Sequence, residues 1–189
     1  MKKILLFTLL GCIQLYSQDQ EIDSLNVQKL EEVLVSSVRV NEDIPMAFTN
    51  VSKDQIEERN LGQDLPILLN FLPNVVTTSD AGAGIGYTAI RIRGINAQST
   101  NVTINGIPYN DAESLGTFWV DLPDFSSSVE NLQVQRGIGT SVNGSSAFGA
   151  SINILTDKIS KDPFFESNNT FGSYNTFKNT LRFSTGLMN

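Results

Sequence analysis

The sequence predicts an α+β fold: a small mixed β-sheet domain with two or three short helices, followed by strands of a different kind. Three observations lead there. Between Val75 and Leu155 the chain breaks into short β-prone runs separated by Gly, Ser and Asn turns. Helical signals are few and short, clearest in Lys53 to Arg59 and Leu65 to Leu72, so the βαβ alternation of a doubly wound sheet is missing. After Pro163 the pattern changes to two longer segments around Gly172-Ser173.

Taken in order, Lys2 and Lys3 precede an apolar run from Ile4 to Ile13, and Ser17, Gln18 and Asp19 follow. A positive start, a short apolar core and a small residue before polar sequence make residues 1–17 a secretory signal peptide, cleaved after Ser17. The run is far shorter than the ~20 residues of a spanning helix. Leu9-Leu10-Gly11-Cys12 also resembles a lipoprotein cleavage box, so lipidation of Cys12 stays open as a second reading. Residues 18–40 start polar and acidic, a flexible leader, and end in the Val-rich extended run Leu30 to Val40.

Residues 41–160 form the domain proper. Pro45 interrupts the chain and Phe48 to Val51 is extended. Ser52 caps a helix over Lys53 to Arg59, with Gln55 completing a capping box. Asp64 caps a second helix that carries Leu65, Leu68, Leu69 and Leu72 at helical spacing and ends at Pro73. Strands are expected at Val75 to Ser79, Ala89 to Arg93 and Asn101 to Asn105. Asn105-Gly106 turns the chain into Ile107-Pro108-Tyr109. A short helix near Asp124 to Ser128 precedes strands at Asn131 to Gln135 and Ser151 to Leu155. Residues 161–189 hold strands Phe164 to Phe171 and Tyr174 to Phe183, with Phe177, Leu181 and Phe183 on one side of a period-two pattern. Asn179 interrupts the pattern, but transmembrane β-strands have such alternation, so these are expected to be the first strands of a transmembrane β-barrel; a lone hairpin is marginal in water, and the polypeptide is expected to continue.

Composition narrows the chemistry. With 20 acidic against 13 basic residues the chain carries −7, and loss of Lys2 and Lys3 makes it more acidic still. That charge lacks the basic footprint of a nucleic-acid binder. There is no histidine, and the one cysteine, Cys12, leaves with the signal. No nucleophile–base pair can be assembled, no catalytic residue or cofactor is expected, and no metal-ligand spacing appears. Gly82-Ala83-Gly84-Ile85-Gly86 is spaced G-x-G-x-G and leads into a strand where a dinucleotide loop needs a helix. In Gly139 to Ser146 a serine, Ser145, stands where a phosphate loop needs lysine. The acids Asp111 and Glu113, and Asp121 and Asp124, read as solvated loop residues.

Three segments in order resemble TonB-dependent receptors. Glu31-Glu32-Val33-Leu34-Val35-Ser36 is similar to the TonB box that precedes the plug domain. Ile90-Arg91-Ile92-Arg93-Gly94, then Val102 to Tyr109, resembles the R-G and D-G-[VI]-P pair of family plugs. Val134-Gln135-Arg136-Gly137 through Ala147 to Thr156 is similar to the signature that closes the plug, with Ile138 in place of a proline and Ala150 in place of a glycine. Thr117 to Asp124 is similar to ferric-citrate type receptors of Bacteroidetes. The resemblance implies a plug inside a barrel of about 22 strands in the outer membrane of a Gram-negative bacterium, with the N-terminus in the periplasm. It implies TonB, powered by the inner-membrane proton-motive complex, as partner of residues 31–36 by edge-to-edge strand pairing. It also implies a scarce nutrient as cargo, foremost a ferric chelate, and Arg93 and Arg136 paired with barrel-wall carboxylates. For both arginines an exposed surface role is the competing reading. Tyr87, Gln98, Ser99 and Phe118 sit on loops expected to face the substrate, while Trp119 is the one of that stretch more expected in the core. A rival class remains: a stand-alone secreted or lipid-anchored β-rich binding module without energy coupling.

Overall fold

The computed structural model describes residues 39–41, 43–138, 147–173 and 175–187. In chain order the strands are β1 (Ala47–Ser52), β2 (Val75–Ser79), β3 (Thr88–Ile92), β4 (Thr100–Ile104), β5 (Ile107–Pro108), β6 (Val129–Arg136), β7 (Ala150–Thr156), β8 (Phe164–Phe171) and β9 (Phe177–Ser184). Two short helices, α1 (Lys53–Arg59) and α2 (Leu65–Leu68), and 3-10 turns at Ala97–Ser99, Trp119–Asp121 and Phe125–Ser128 complete the described elements.

The main sheet has the order β1-β6-β7-β4-β5, with β4 and β7 parallel and the other pairs antiparallel. Period-two alternation gives it two unlike faces. One face carries Val51, Leu132, Val134, Ile152, Ile154 and Val102, all buried and in register. Against them pack Ile56 of α1, Leu65 and Leu68 of α2, and Ile90 and Ile92 of β3, with Trp119 in the same cluster. The other face is polar, with Gln133, Gln135, Ser151 and Asn153 on it.

Local chemistry explains the elements. The Ser52 side chain accepts from the Gln55 N–H at 3.4 Å, and the Gln55 side chain accepts from the Ser52 N–H at 3.1 Å, so the expected capping box starts α1. The turn Asn105-Gly106 has φ of 51° and 80°, the doubly left-handed geometry of a two-residue hairpin between Ile104 and Ile107.

Three expectations need correction. α2 spans only Leu65–Leu68, and tight turns carry the chain on to Val75: the Leu69 N–H donates to Pro66 O (3.1 Å) and the Leu72 N–H to Leu69 O (3.0 Å). Asp64 stands at the N-cap position without capping; its carboxylate accepts from Thr88 Oγ1 at 2.9 Å, deep in the fold. β9 starts at Phe177, because the Gly172 N–H to Thr176 O bond (2.8 Å) closes the turn ahead of it. Of the extended run expected from Leu30 to Val40, residues 30–38 lie outside the described residues, and Arg39 and Val40 join no strand.

Candidate functional site

The hairpin β8–β9 shows two opposed characters. Its outer face carries Phe165, Phe171, Phe177, Leu181 and Phe183, 63 to 82% exposed, with Phe165 opposite Phe183 and Phe171 opposite Phe177. The alternate residues, Glu166, Lys178 and Arg182, turn the other way, toward the domain. Lys178 Nζ lies 2.6 Å from Asp124 Oδ1 and donates to Ser127 Oγ at 2.7 Å. Asp157 is held from two sides, by Lys53 of α1 at 2.6 Å and by Arg182 of β9. Arg182 also lies 3.4 Å from Glu166, its cross-strand neighbour. A polar cavity of about 330 Å³ opens along this seam, lined in part by Glu57, Asn60, Glu166 and Lys178.

This seam was illegible in the sequence. Asp124, expected as a solvated loop acid, is half-buried under Lys178. One signal was available: Lys178 and Arg182 alternate with the apolar residues of β9, so they had to face inward. Which acids would meet them depends on segments 16 to 54 residues away.

Arg93 and Arg136 converge at one end of the main sheet. Arg93 has φ of 55°, and its Nη1 sits 3.0 Å from where a Cβ on Gly137 would lie. Arg136 donates from Nη1 to Thr49 Oγ1 at 2.8 Å and from Nη2 to Phe48 O at 3.4 Å. Burial first, and the neighbouring Arg93 charge second, hold the Arg136 guanidinium below its ordinary value. Among the described residues neither arginine is paired with a carboxylate.

The loop candidates fall into two places. Gln98 and Ser99 form the 3-10 turn before β4, where the Gly149 N–H donates to Ser99 O at 2.8 Å. Beside them, Asn110 Nδ2 bridges Thr100 O (2.9 Å) and Leu115 O (2.8 Å), which brings residues 111–116 to the same strand end. Asp111 fixes that loop, accepting from the Ser114 N–H and Oγ, both at 2.7 Å, and these bonds hold its carboxyl below the ordinary value. Phe118 is half exposed, whereas Trp119 is in the core. Tyr87 is 70% exposed on a loop anchored elsewhere, where the Asp64 N–H at the head of α2 donates to Gly84 O at 2.9 Å. That loop has the turn geometry expected of it, with φ of 73°, 77° and 93° at Gly82, Gly84 and Gly86, and β3 follows it.

Residues 31–36 lie outside the described residues, as does the glycine-rich stretch 139–146. Among the described residues no group of three or more acidic or cysteine side chains could hold a metal ion, and no helix is long and apolar enough to cross a membrane.

Comparison with known proteins supplies the context for this geometry. Residues 40–151 match the TonB-dependent Receptor Plug Domain family. The chain is 29% identical over 150 residues to the vitamin B12 transporter BtuB of Vibrio vulnificus, covering 78% of this chain and 24% of that protein. It is 25% identical over 169 residues to the ferrienterobactin receptor of Escherichia coli K12, covering 83% and 22%. Among solved structures, the ferripyoverdine receptor of the Pseudomonas aeruginosa outer membrane superposes with a TM-score of 0.60 at 16% identity, covering 79% of this chain and 19% of the receptor. The alcaligin outer-membrane receptor FauA of Bordetella pertussis gives 0.57 at 17% identity, covering 74% and 23%. The chain thus spans about a quarter or less of each of these relatives, and the structural likenesses speak to the fold.

Proposed function

The chain belongs to the TonB-dependent receptor plug domain family, and on that premise we propose that it is the gate of an outer-membrane receptor that imports a ferric chelate. The observation that carries this reading is the hairpin: five of the eight side chains on its outer face are apolar or aromatic, the others being Ser167, Asn169 and Asn179, while the charged side chains face inward and are ion-paired to the domain. Outward apolar and inward polar is what a barrel wall around a plug requires, since lipid takes one face and the lumen the other. A free-standing binding module in water would expose five large apolar side chains for no gain.

In this reading the plug closes the barrel until substrate binds outside. Glu31, Glu32, Val33, Leu34, Val35 and Ser36 then serve as the TonB box, pairing edge-to-edge with a strand of TonB, and energy from the inner-membrane proton-motive complex moves the plug. Arg93 and Arg136 form a concentrated positive site, in which Arg136 donates to Thr49 and Phe48. Carboxylates of the barrel wall are the partners such a site fits, as switchable bidentate pairs. Tyr87, Gln98, Ser99 and Phe118 offer an aromatic and amide surface to the substrate. The protein binds and admits; it does no covalent chemistry. Its cargo is a ferric chelate by kinship with the ferrienterobactin receptor, and the vitamin B12 transporter sets the alternative to be tested.

The test is uptake of a labelled ferric chelate, and of labelled cobalamin, by cells expressing the whole protein, with and without TonB. Chelate uptake that needs TonB and drops on joint Tyr87→Ala and Gln98→Ala substitution is expected. Uptake independent of TonB overturns the gate, and cobalamin taken up in place of chelate overturns the substrate.

A further inference from the structure

One face of the main sheet is polar and nevertheless buried. Asn50, Gln133, Asn153 and Thr103 lie side by side across β1, β6, β7 and β4, and Gln135, Ser151 and Asn101 form the next row. From Gln133 to Asn101 these side chains are at most 4% exposed. They are knit laterally: Thr103 Oγ1 donates to Asn153 Oδ1 at 2.7 Å, Gln135 Nε2 to Gln133 Oε1 at 2.9 Å, and Gln133 Nε2 to Asn50 Oδ1 at 2.8 Å.

Against this face sits the end of the leader. Gln133 Oε1 accepts from the Val40 N–H at 2.8 Å, and Gln133 Nε2 donates to Val40 O at 2.9 Å. One carboxamide thus makes, to a single residue's main chain, the two bonds that a neighbouring strand would make. Arg39 Nη2 donates to Asn153 O at 3.3 Å, and burial holds that guanidinium below its ordinary value. Neither contact depends on which apolar side chain stands at position 40, because the main chain is what is gripped.

The chemistry of the seat determines how it opens. Amides buried without partners are costly, so the face is stable while its bonds are made. When the segment leaves, water can take every bond it vacates, and of residues 39–40 only the Val40 side chain is an apolar group newly exposed. Asn101 Nδ2 and Ser151 Oγ are buried on this face without a partner and would gain one from water. The opposite face, built on Leu132, Val134, Ile152 and Ile154, has no such compensation.

We infer that the polar face is a main-chain mooring for the leader, in which the Gln133 carboxamide clamps Val40 and is the contact that yields first when the leader is pulled. The clamp itself stands on the geometry, whereas the pull rests on the proposed TonB coupling. Release at residues 39–40 leaves the five-stranded sheet folded, so that the mooring separates capture of the leader from any movement of the domain.

The experiment uses the full-length receptor with a reporter cysteine, Val40→Cys, whose thiol is shielded while the clamp holds, and reads maleimide labelling beside amide exchange over residues 129–136. Gln133→Met keeps the bulk and removes both bonds to Val40, together with the lateral bonds to Asn50 and Gln135. It should speed labelling at position 40 roughly tenfold or more, as the loss of two hydrogen bonds implies, with β6 protection unchanged. Equal labelling, or a matching loss of protection in β6, overturns the clamp. These readings need neither TonB nor substrate, so they stand apart from the uptake test. In energised cells carrying TonB, the Val40→Cys protein alone should label faster on substrate addition. No rise, or a simultaneous loss of protection in β6, overturns the order of release.

Discussion

Replacing Asp157 with alanine should loosen the hairpin β8–β9 from the domain, and the structure sets the size of the effect. The carboxylate receives Lys53 on Oδ1 at 2.6 Å and Arg182 on Oδ2, with side-chain exposures of 19% for Asp157, 28% for Lys53 and 23% for Arg182. Fully exposed pairs contribute about 0.2–1 kcal/mol, and breaking a buried pair costs about 3–5 kcal/mol. Two cations on one acid push toward the upper figure. In the other direction, Lys53 retains Glu57 and Glu130 at 3.9 Å, and Arg182 retains Glu166 at 3.4 Å. The balance is about 2 kcal/mol, roughly a thirtyfold weakening. The assay is a double-mutant cycle of Asp157→Ala with Arg182→Ala, read as the urea midpoint for unfolding of the plug within the full-length protein. A coupling of about 1 kcal/mol or more is expected, because the two side chains share one contact. Coupling below about 0.3 kcal/mol would show the pair to be a solvated surface contact and refute the seam as an attachment.

Gly149→Ala should cost about 1–3 kcal/mol in thermal unfolding, since the added Cβ would lie 2.8 Å from Ile95 Cβ. The loop at residues 111–116 should keep its amide protection down to acidic pH: the Asp111 pKa is lowered from 3.8 by the folded loop, so its contribution is present above that value and lost as pH falls through the lower, folded-state one. Asp111→Asn should speed exchange at Ser114 at neutral pH, and exchange with no pH step in the acid range would contradict this. Val35→Pro removes a backbone donor from the proposed TonB box, so TonB-driven uptake should fall while substrate binding outside is retained. Wild-type uptake by that variant would dismiss residues 31–36 as the coupling segment.

Much of the fold could be read from the chain because its signals are local. The Ser52–Gln55 capping box, the Asn105-Gly106 turn and the alternation in β6 and β7 depend on neighbours a few residues apart, and each element appears where those neighbours place it. Family kinship was legible for a similar reason: short motifs around Arg93, Gly106 and Arg136 keep their order along the chain. Where a residue's partner was distant, the sequence was silent. The second helix stopped after one turn, and Asp64 turned from its expected cap to Thr88, a residue 24 positions on. Asp124 read as a loop acid until β9 folded back with Lys178, and no local signal marked Asp157 as the partner of Arg182. The alternation of β6 showed that Gln133 and Gln135 face away from Leu132 and Val134, but not that this second face would be buried or that a carboxamide would hold the main chain of Val40, 93 residues earlier. Periodicity determines which side of an element a residue takes, since backbone geometry repeats every few residues. What meets that side is decided only when distant segments pack, because the free energy of burying a polar or charged group depends on partners that the local chain does not contain.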